Sequence, residues 1–144
     1  MDADIKRSII LDNYQDAKNK GIPNEMDGYI KINSNNDSCI DNIDIYVKLN
    51  NDTIEDIKFE GEACVIAISS TSILSDLLIG KNISEVENIL KNYYNMIEEY
   101  DYDRELLGEA CVYDDIYKQP SRKTCVTLFA RGIEKIVNDN ENNV

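Results

Sequence analysis

The sequence contains no histidine. Imidazole catalysis within the chain is thereby excluded, including any Ser–His or Cys–His dyad. Cysteine is sparse and scattered: Cys39, Cys64, Cys111 and Cys125 include no CxxC pair, so no compact zinc-finger pattern is present. No apolar run approaches the length of a membrane span, and the N-terminus MDADIKRSII lacks a signal-peptide pattern. The expected location is the cytoplasm, with no membrane partner. Reducing conditions there argue against reading the four thiols as a disulfide framework. Positive charge is also short, with 15 basic against 28 acidic residues and a net charge of −13. A field of that sign repels phosphate backbones and argues against nucleic acid as a partner.

What remains is a chain of 144 residues with the composition of one globular domain. A single domain is expected over residues 1–137, followed by a polar, frayed tail over 138–144. An amphipathic helix is predicted over residues 4–18, with Ile5, Ile9, Ile10, Tyr14 and Ala17 on its apolar face. Tyr29 to Ile32 reads as a short strand and Asn33 to Ser38 as a polar loop. Ile43, Ile45, Val47 and Leu49 alternate with Asp44, Tyr46 and Lys48, the pattern of a half-buried strand. Asn50-Asn51-Asp52 has turn chemistry, and Thr53 to Phe59 returns as the second arm of a hairpin. Gly61 is expected to turn the chain into a helix whose apolar face is Val65, Ile68, Ile73, Leu74, Leu77 and Leu78, with Gly80 as its stop.

Ser84 and Glu87 form a capping-box pattern ahead of a stripe of Val86, Ile89, Leu90, Tyr93, Tyr94 and Ile97. Glu98 to Glu105 reads as a loop, and Glu109 to Tyr117 as a short helix. Pro120-Ser121-Arg122 opens a last helix, with Val126, Leu128, Phe129, Ile133, Ile136 and Val137 on its face. Three strands followed by helices predict an α+β fold, a three-stranded antiparallel sheet with helices packed on one face.

Chemistry concentrates at element ends. Cys39 and Asp41 precede a strand, Cys64 stands at a helix mouth, and Cys125 lies near the start of another helix. A thiol at a helix N-terminus faces unpaired N–H groups and partial positive charge. Three thiols and a carboxylate supply four ligands, enough for tetrahedral zinc, and the same set suits iron or an iron–sulfur cluster. A carboxylate is the harder and less tightly held ligand of such a set.

Three stretches carry a resemblance. FEGEACVIAISSTSILSDLLIGK (from Phe59) resembles the second-cysteine segment of the IscU/SufU/NifU-N-terminal iron–sulfur assembly family. Cys39-Ile40-Asp41 is similar to that family's Cys-Gly-Asp motif, and Pro120-Ser121-Arg122-Lys123-Thr124-Cys125 to its Pro-x-Arg-x-x-Cys run. Asp12-Asn13-Tyr14 and Asn19-Lys20-Gly21 echo its opening. Thr124 stands where IscU-type members place a His, and the long interval from Cys64 to Cys125 leaves room for the helical insert of SufU-type members. The resemblance is therefore to the SufU type.

It implies that Cys39, Asp41, Cys64 and Cys125 bind zinc, with Arg122 auxiliary. It also implies that Cys39 is released to accept persulfide sulfur when a partner His takes its place. The implied partners are a pyridoxal-phosphate cysteine desulfurase and downstream iron–sulfur assembly or acceptor proteins. The alternative activities are a scaffold for a transient [2Fe–2S] cluster on the same cysteines, and a purely structural zinc domain. Ile40 and Ala63 replace motif glycines, and Asn13, Ala17 and Lys18 replace the usual His, Pro and Arg. Cys111 matches no ligand of the family and reads as a structural thiol.

Overall fold

A computed structural model describes residues 1–36 and 40–142. Three antiparallel strands, β1 (Tyr29–Asn35), β2 (Asn42–Asn50) and β3 (Thr53–Glu62), form one sheet in the order β1-β2-β3. The expected α+β architecture holds, and the alternation in β2 sets its register. Ile45 pairs with Ile32 on one side and Phe59 on the other, and Val47 faces Ile57. Ile43, Ile45, Val47, Ile57 and Phe59 are all fully buried under the helices. Residues 19–21 pair with β3 at Phe59, whose N–H and carbonyl bond Asn19 and Gly21, so this edge is partly covered.

Two strand boundaries differ from expectation. β1 continues through Asn33 to Asn35, where a polar loop was predicted, because Ser34 is buried and donates its hydroxyl to the Leu128 carbonyl. Asp37, Ser38 and Cys39 lie outside the described residues. β3 runs on to Glu62, so Gly61 is a strand residue opposite Ile43 rather than a turn. Its φ is +140°, and an added Cβ would stand 2.2 Å from the Asn42 carbonyl oxygen. Close backbone approach, not chain reversal, requires the glycine.

The helices are α1 (Ala3–Gln15), α2 (Val65–Leu78), α3 (Ile83–Ile97), α4 (Arg104–Leu107), α5 (Lys123–Val126) and α6 (Leu128–Asn142). α2 lies at the centre, in contact with α1, α5, α6 and β3. Its Ser69, Ser70, Thr71, Ser72 and Ser75 are fully buried, and every hydroxyl is satisfied. These small residues let α1 approach, with Asn13 buried between the helices: it accepts from Ser72 and donates to Glu109. The predicted apolar face of α1 is accordingly wrong in part. Asn13 is buried while Ile5 and Tyr14 are exposed, because the partner surface on α2 is hydroxylic.

The α3 stripe is as expected, but the cap is not at Ser84. Asn82 is the N-cap, accepting the Glu85 N–H, and the helix starts a turn's fraction earlier. The expected loop over 98–105 ends in α4, capped by Asp103. Short 3-10 turns, Gly108–Tyr113 and Ile116–Lys118, stand in place of a continuous helix over 109–117. The last predicted helix is divided into a 3-10 turn (Pro120–Arg122), α5 and α6, with the break at Thr127. Here the Thr127 hydroxyl donates back to the Lys123 carbonyl. α6 continues to Asn142, past the Val137 at which its apolar pattern stops. Among the described residues no helix is long and apolar enough to cross a membrane.

Candidate metal centre

The end of β3 and the start of α2 place Cys64 as the N-cap of α2, with extended backbone (φ −69°, ψ 169°). Its side chain does not cap its own helix. Asp41, one residue before β2, performs that role from across the sheet end: its Oδ1 accepts the Cys64 backbone N–H at 2.8 Å. A carboxylate at a helix N-terminus is favourably placed in the field of the helix dipole. The other carboxylate oxygen lies 3.9 Å from Cys64 Sγ. Cys125, carried on α5, completes the group, with one ligand atom each of Asp41, Cys64 and Cys125 within 4.8 Å of one another. Both thiols are half-buried.

Asp41 is only 1% exposed. Among the described residues, none of the ion pairs includes it. Its charge is met by neutral donors, the Cys64 N–H and the Asn36 amide, and a cation beside it would add to them. The Cys125 thiol is pushed up to about 12, first by burial and then by its hydrogen bonds to Cys64 and Asp41. A cation among the three groups reverses that tendency, because metal coordination favours thiolate. Two sulfurs and a carboxylate oxygen at these separations fit a zinc-type donor set.

Of the expected site residues, Asp41, Cys64 and Cys125 therefore come together. Cys39 lies outside the described residues, two positions from Asp41 along the chain. Cys111 is elsewhere, buried behind α4 with its Sγ 3.6 Å from the Arg104 carbonyl oxygen, and burial pushes its thiol up. Arg122 is exposed in its 3-10 turn and lines a groove with Lys6, Arg7 and Val65. The arginine bonded to the cluster's neighbours is Arg131 on α6, which donates to Asn36 and to the Thr124 carbonyl and which sequence reasoning did not single out. Asn36, the polar residue it engages, was hidden in a stretch read as loop. Around the mouth, Ile40 is 75% exposed and shares an open cleft with Tyr14, Ala63 and Ile68.

Known proteins share this chain's sequence and fold. A family profile described as the NifU-like N terminal domain matches residues 5–126. The zinc-dependent sulfurtransferase SufU of Bacillus subtilis (strain 168) is 35% identical over 130 residues, covering 90% of this chain and 86% of the relative. The iron–sulfur cluster assembly scaffold protein IscU of Streptococcus pyogenes serotype M1 is 31% identical, covering 82% of this chain and 75% of its own. Among solved structures, a candidate iron–sulfur cluster assembly scaffold protein for the SUF system from Fervidobacterium islandicum AW-1 superposes with a TM-score of 0.78. It is 30% identical, over 88% of this chain and 91% of that one.

Proposed function

This chain belongs to the family of the NifU-like N-terminal domain, and from that premise we propose that it is a zinc-dependent sulfur acceptor in iron–sulfur cluster assembly. It takes persulfide sulfur from a pyridoxal-phosphate cysteine desulfurase and delivers it to downstream assembly or acceptor proteins in the cytoplasm. The observation that carries the reading is the buried Asp41 carboxylate set against two thiols, with no cationic partner among the described residues. The name of the Bacillus subtilis relative points the same way.

Asp41, Cys64 and Cys125 would hold the ion, with Cys39 as fourth ligand. Bound zinc would supply charge that keeps the sulfurs as thiolates. Cys39 is the acceptor. Its thiolate attacks the outer sulfur of the desulfurase persulfide, and the bond from that sulfur to the desulfurase cysteine breaks. The electron pair leaves with the desulfurase thiolate, so one sulfur atom moves with no net oxidation. Ile40, exposed beside the acceptor, gives the partner an apolar foothold at the point of transfer.

Protein purified without added iron should be colourless and contain about one zinc per chain, as one tetrahedral site requires. After incubation with desulfurase and cysteine, mass spectrometry should find an added sulfur on Cys39. Cys39→Ala should dock but not stimulate turnover. A brown protein containing sulfide and no zinc after anaerobic isolation would instead favour the cluster scaffold. Full stimulation by Cys39→Ala would remove the acceptor role.

A further inference from the structure

The bonds around Asp41 extend one layer outward, in a fixed direction. Arg131 Nη2 donates at 2.6 Å to Asn36 Oδ1 and at 2.6 Å to the Thr124 carbonyl oxygen. Asn36 Nδ2 in turn donates to Asp41 Oδ2 at 3.1 Å and to the Thr124 carbonyl at 3.3 Å. A guanidinium can only donate, and a carboxylate can only accept. The Asn36 amide therefore has one orientation that satisfies both neighbours: oxygen towards Arg131, NH₂ towards Asp41. Arg131 Nε also donates to Thr127 Oγ1 at 3.2 Å, which holds the guanidinium plane against the break between α5 and α6.

This geometry has a consequence for the cluster. Asn36 directly follows β1, and its own N–H donates to the Asp41 carbonyl at 3.0 Å. Thr124 immediately precedes Cys125. One side chain on α6 thus fastens the carboxylate-bearing segment and the Cys125-bearing helix to each other. Among the described residues Arg131 has no carboxylate within ion-pair distance, so its donors are given to these oxygens instead.

We infer that Arg131 is a positioning residue for the metal centre, acting through the Asn36 amide to fix the Asp41 carboxylate and the spacing between Asp41 and Cys125. The inference rests on the metal-site reading above. Outer partners that orient ligands commonly contribute 10–100-fold to metal affinity, and a loss of about that size is expected here.

The test is a pair of single variants and their combination, Arg131→Met, Asn36→Leu and the double variant, with Cys64→Ser as ligand control. Zn²⁺ affinity is read by competition with a chromophoric chelator. Co²⁺ uptake is read from its d–d and thiolate-to-cobalt absorption, and the urea midpoint of metal-free protein reports folding. Each single variant should weaken Zn²⁺ by about 10–100-fold and shift the Co²⁺ bands. The double variant should lose less than the product of the two single losses, because the Arg131–Asn36 bond is shared while Arg131 also bonds the Thr124 carbonyl directly. Arg131→Lys should recover part of the loss, and it replaces Arg131→Met if that protein does not fold.

Losses that multiply in the double variant overturn the inference. So does unchanged affinity in the Arg131 variant while Cys64→Ser loses the metal, an outcome that leaves the metal site standing. A folded wild type that takes up neither Zn²⁺ nor Co²⁺ overturns both.

Discussion

The Cys64 backbone N–H and the Asp41 carboxylate, 23 residues apart in sequence, meet at 2.8 Å. One carboxylate oxygen is committed to the first turn of α2, and the other faces the Cys64 sulfur and the Asn36 amide. A single buried acid thereby joins the open end of the sheet to the helix at the centre of the fold. Its orientation is a property of the protein, set by two N–H donors.

Replacing that acid separates charge from shape. Asp41→Asn keeps an oxygen for the Cys64 N–H but turns an NH₂ group towards the Asn36 amide, placing donor against donor. Metal content of the purified variant should fall well below wild type, whereas Cys111→Ser should retain it. Elemental analysis decides. Metal lost from Cys111→Ser and kept in Asp41→Asn would show a different ligand set.

The thiols should also differ in reactivity without metal. Burial pushes the Cys111 thiol up and encloses it, and alkylation needs an accessible thiolate. In native, chelator-treated protein at pH 8, iodoacetamide should label Cys64 well before Cys111, as read by peptide mass spectrometry.

Gly61→Ala should be among the most damaging single-methyl additions. The residue sits at φ +140° and its new Cβ would overlap backbone atoms of Asn42 and Ile43, which cannot swing away as a side-chain tip can. Strain of this kind costs roughly 1–3 kcal/mol, and the overlap adds to it. The urea midpoint of the metal-free protein should fall accordingly.

At the far end of the sheet, Tyr29 donates to Asp56 Oδ2 at 2.6 Å, reaching over β2 from β1 to β3. The bond to that carboxylate, with burial added, pushes the phenol from 10.0 up to about 12. The fold therefore favours the neutral phenol. Its contribution is whole below pH 10 and is lost as pH rises through about 12. Tyr29→Phe should destabilise by about 1–2 kcal/mol at neutral pH, and the difference from wild type should close towards pH 12. Denaturation at several pH values, with phenolate absorbance as a second readout, checks both.

Local pattern was a good guide wherever one residue's neighbours in sequence are also its neighbours in space. The alternation from Ile43 to Leu49 places β2 correctly, and the apolar spacing after Cys64 places α2. The same logic failed where a distant partner decides. Asn13 is buried because α2 offers Ser72, and Ser34 belongs to a strand because α6 offers the Leu128 carbonyl. Ser84 was the expected cap, but Asn82, held by a bridge to Thr53, takes that place. At the site, Asp41, Cys64 and Cys125 were legible from residue type at element ends, while Cys39 lies outside the described residues. Asn36 and Arg131 were not, since an asparagine in a polar stretch and an arginine in a helix carry no local mark of the bond between them.

The scattered origin of the cluster would make a bound metal and the fold thermodynamically conjugate. Asp41 enters from the head of β2, Cys64 from the mouth of α2 and Cys125 from α5, so an unfolded chain does not hold them together. An ion bound only by the folded form raises stability by mass action, by about 2.7 kcal/mol at a hundred times its dissociation constant. Melting temperature should then climb with free zinc and drop on chelation, and a calorimeter can weigh the site's affinity before a desulfurase is ever added.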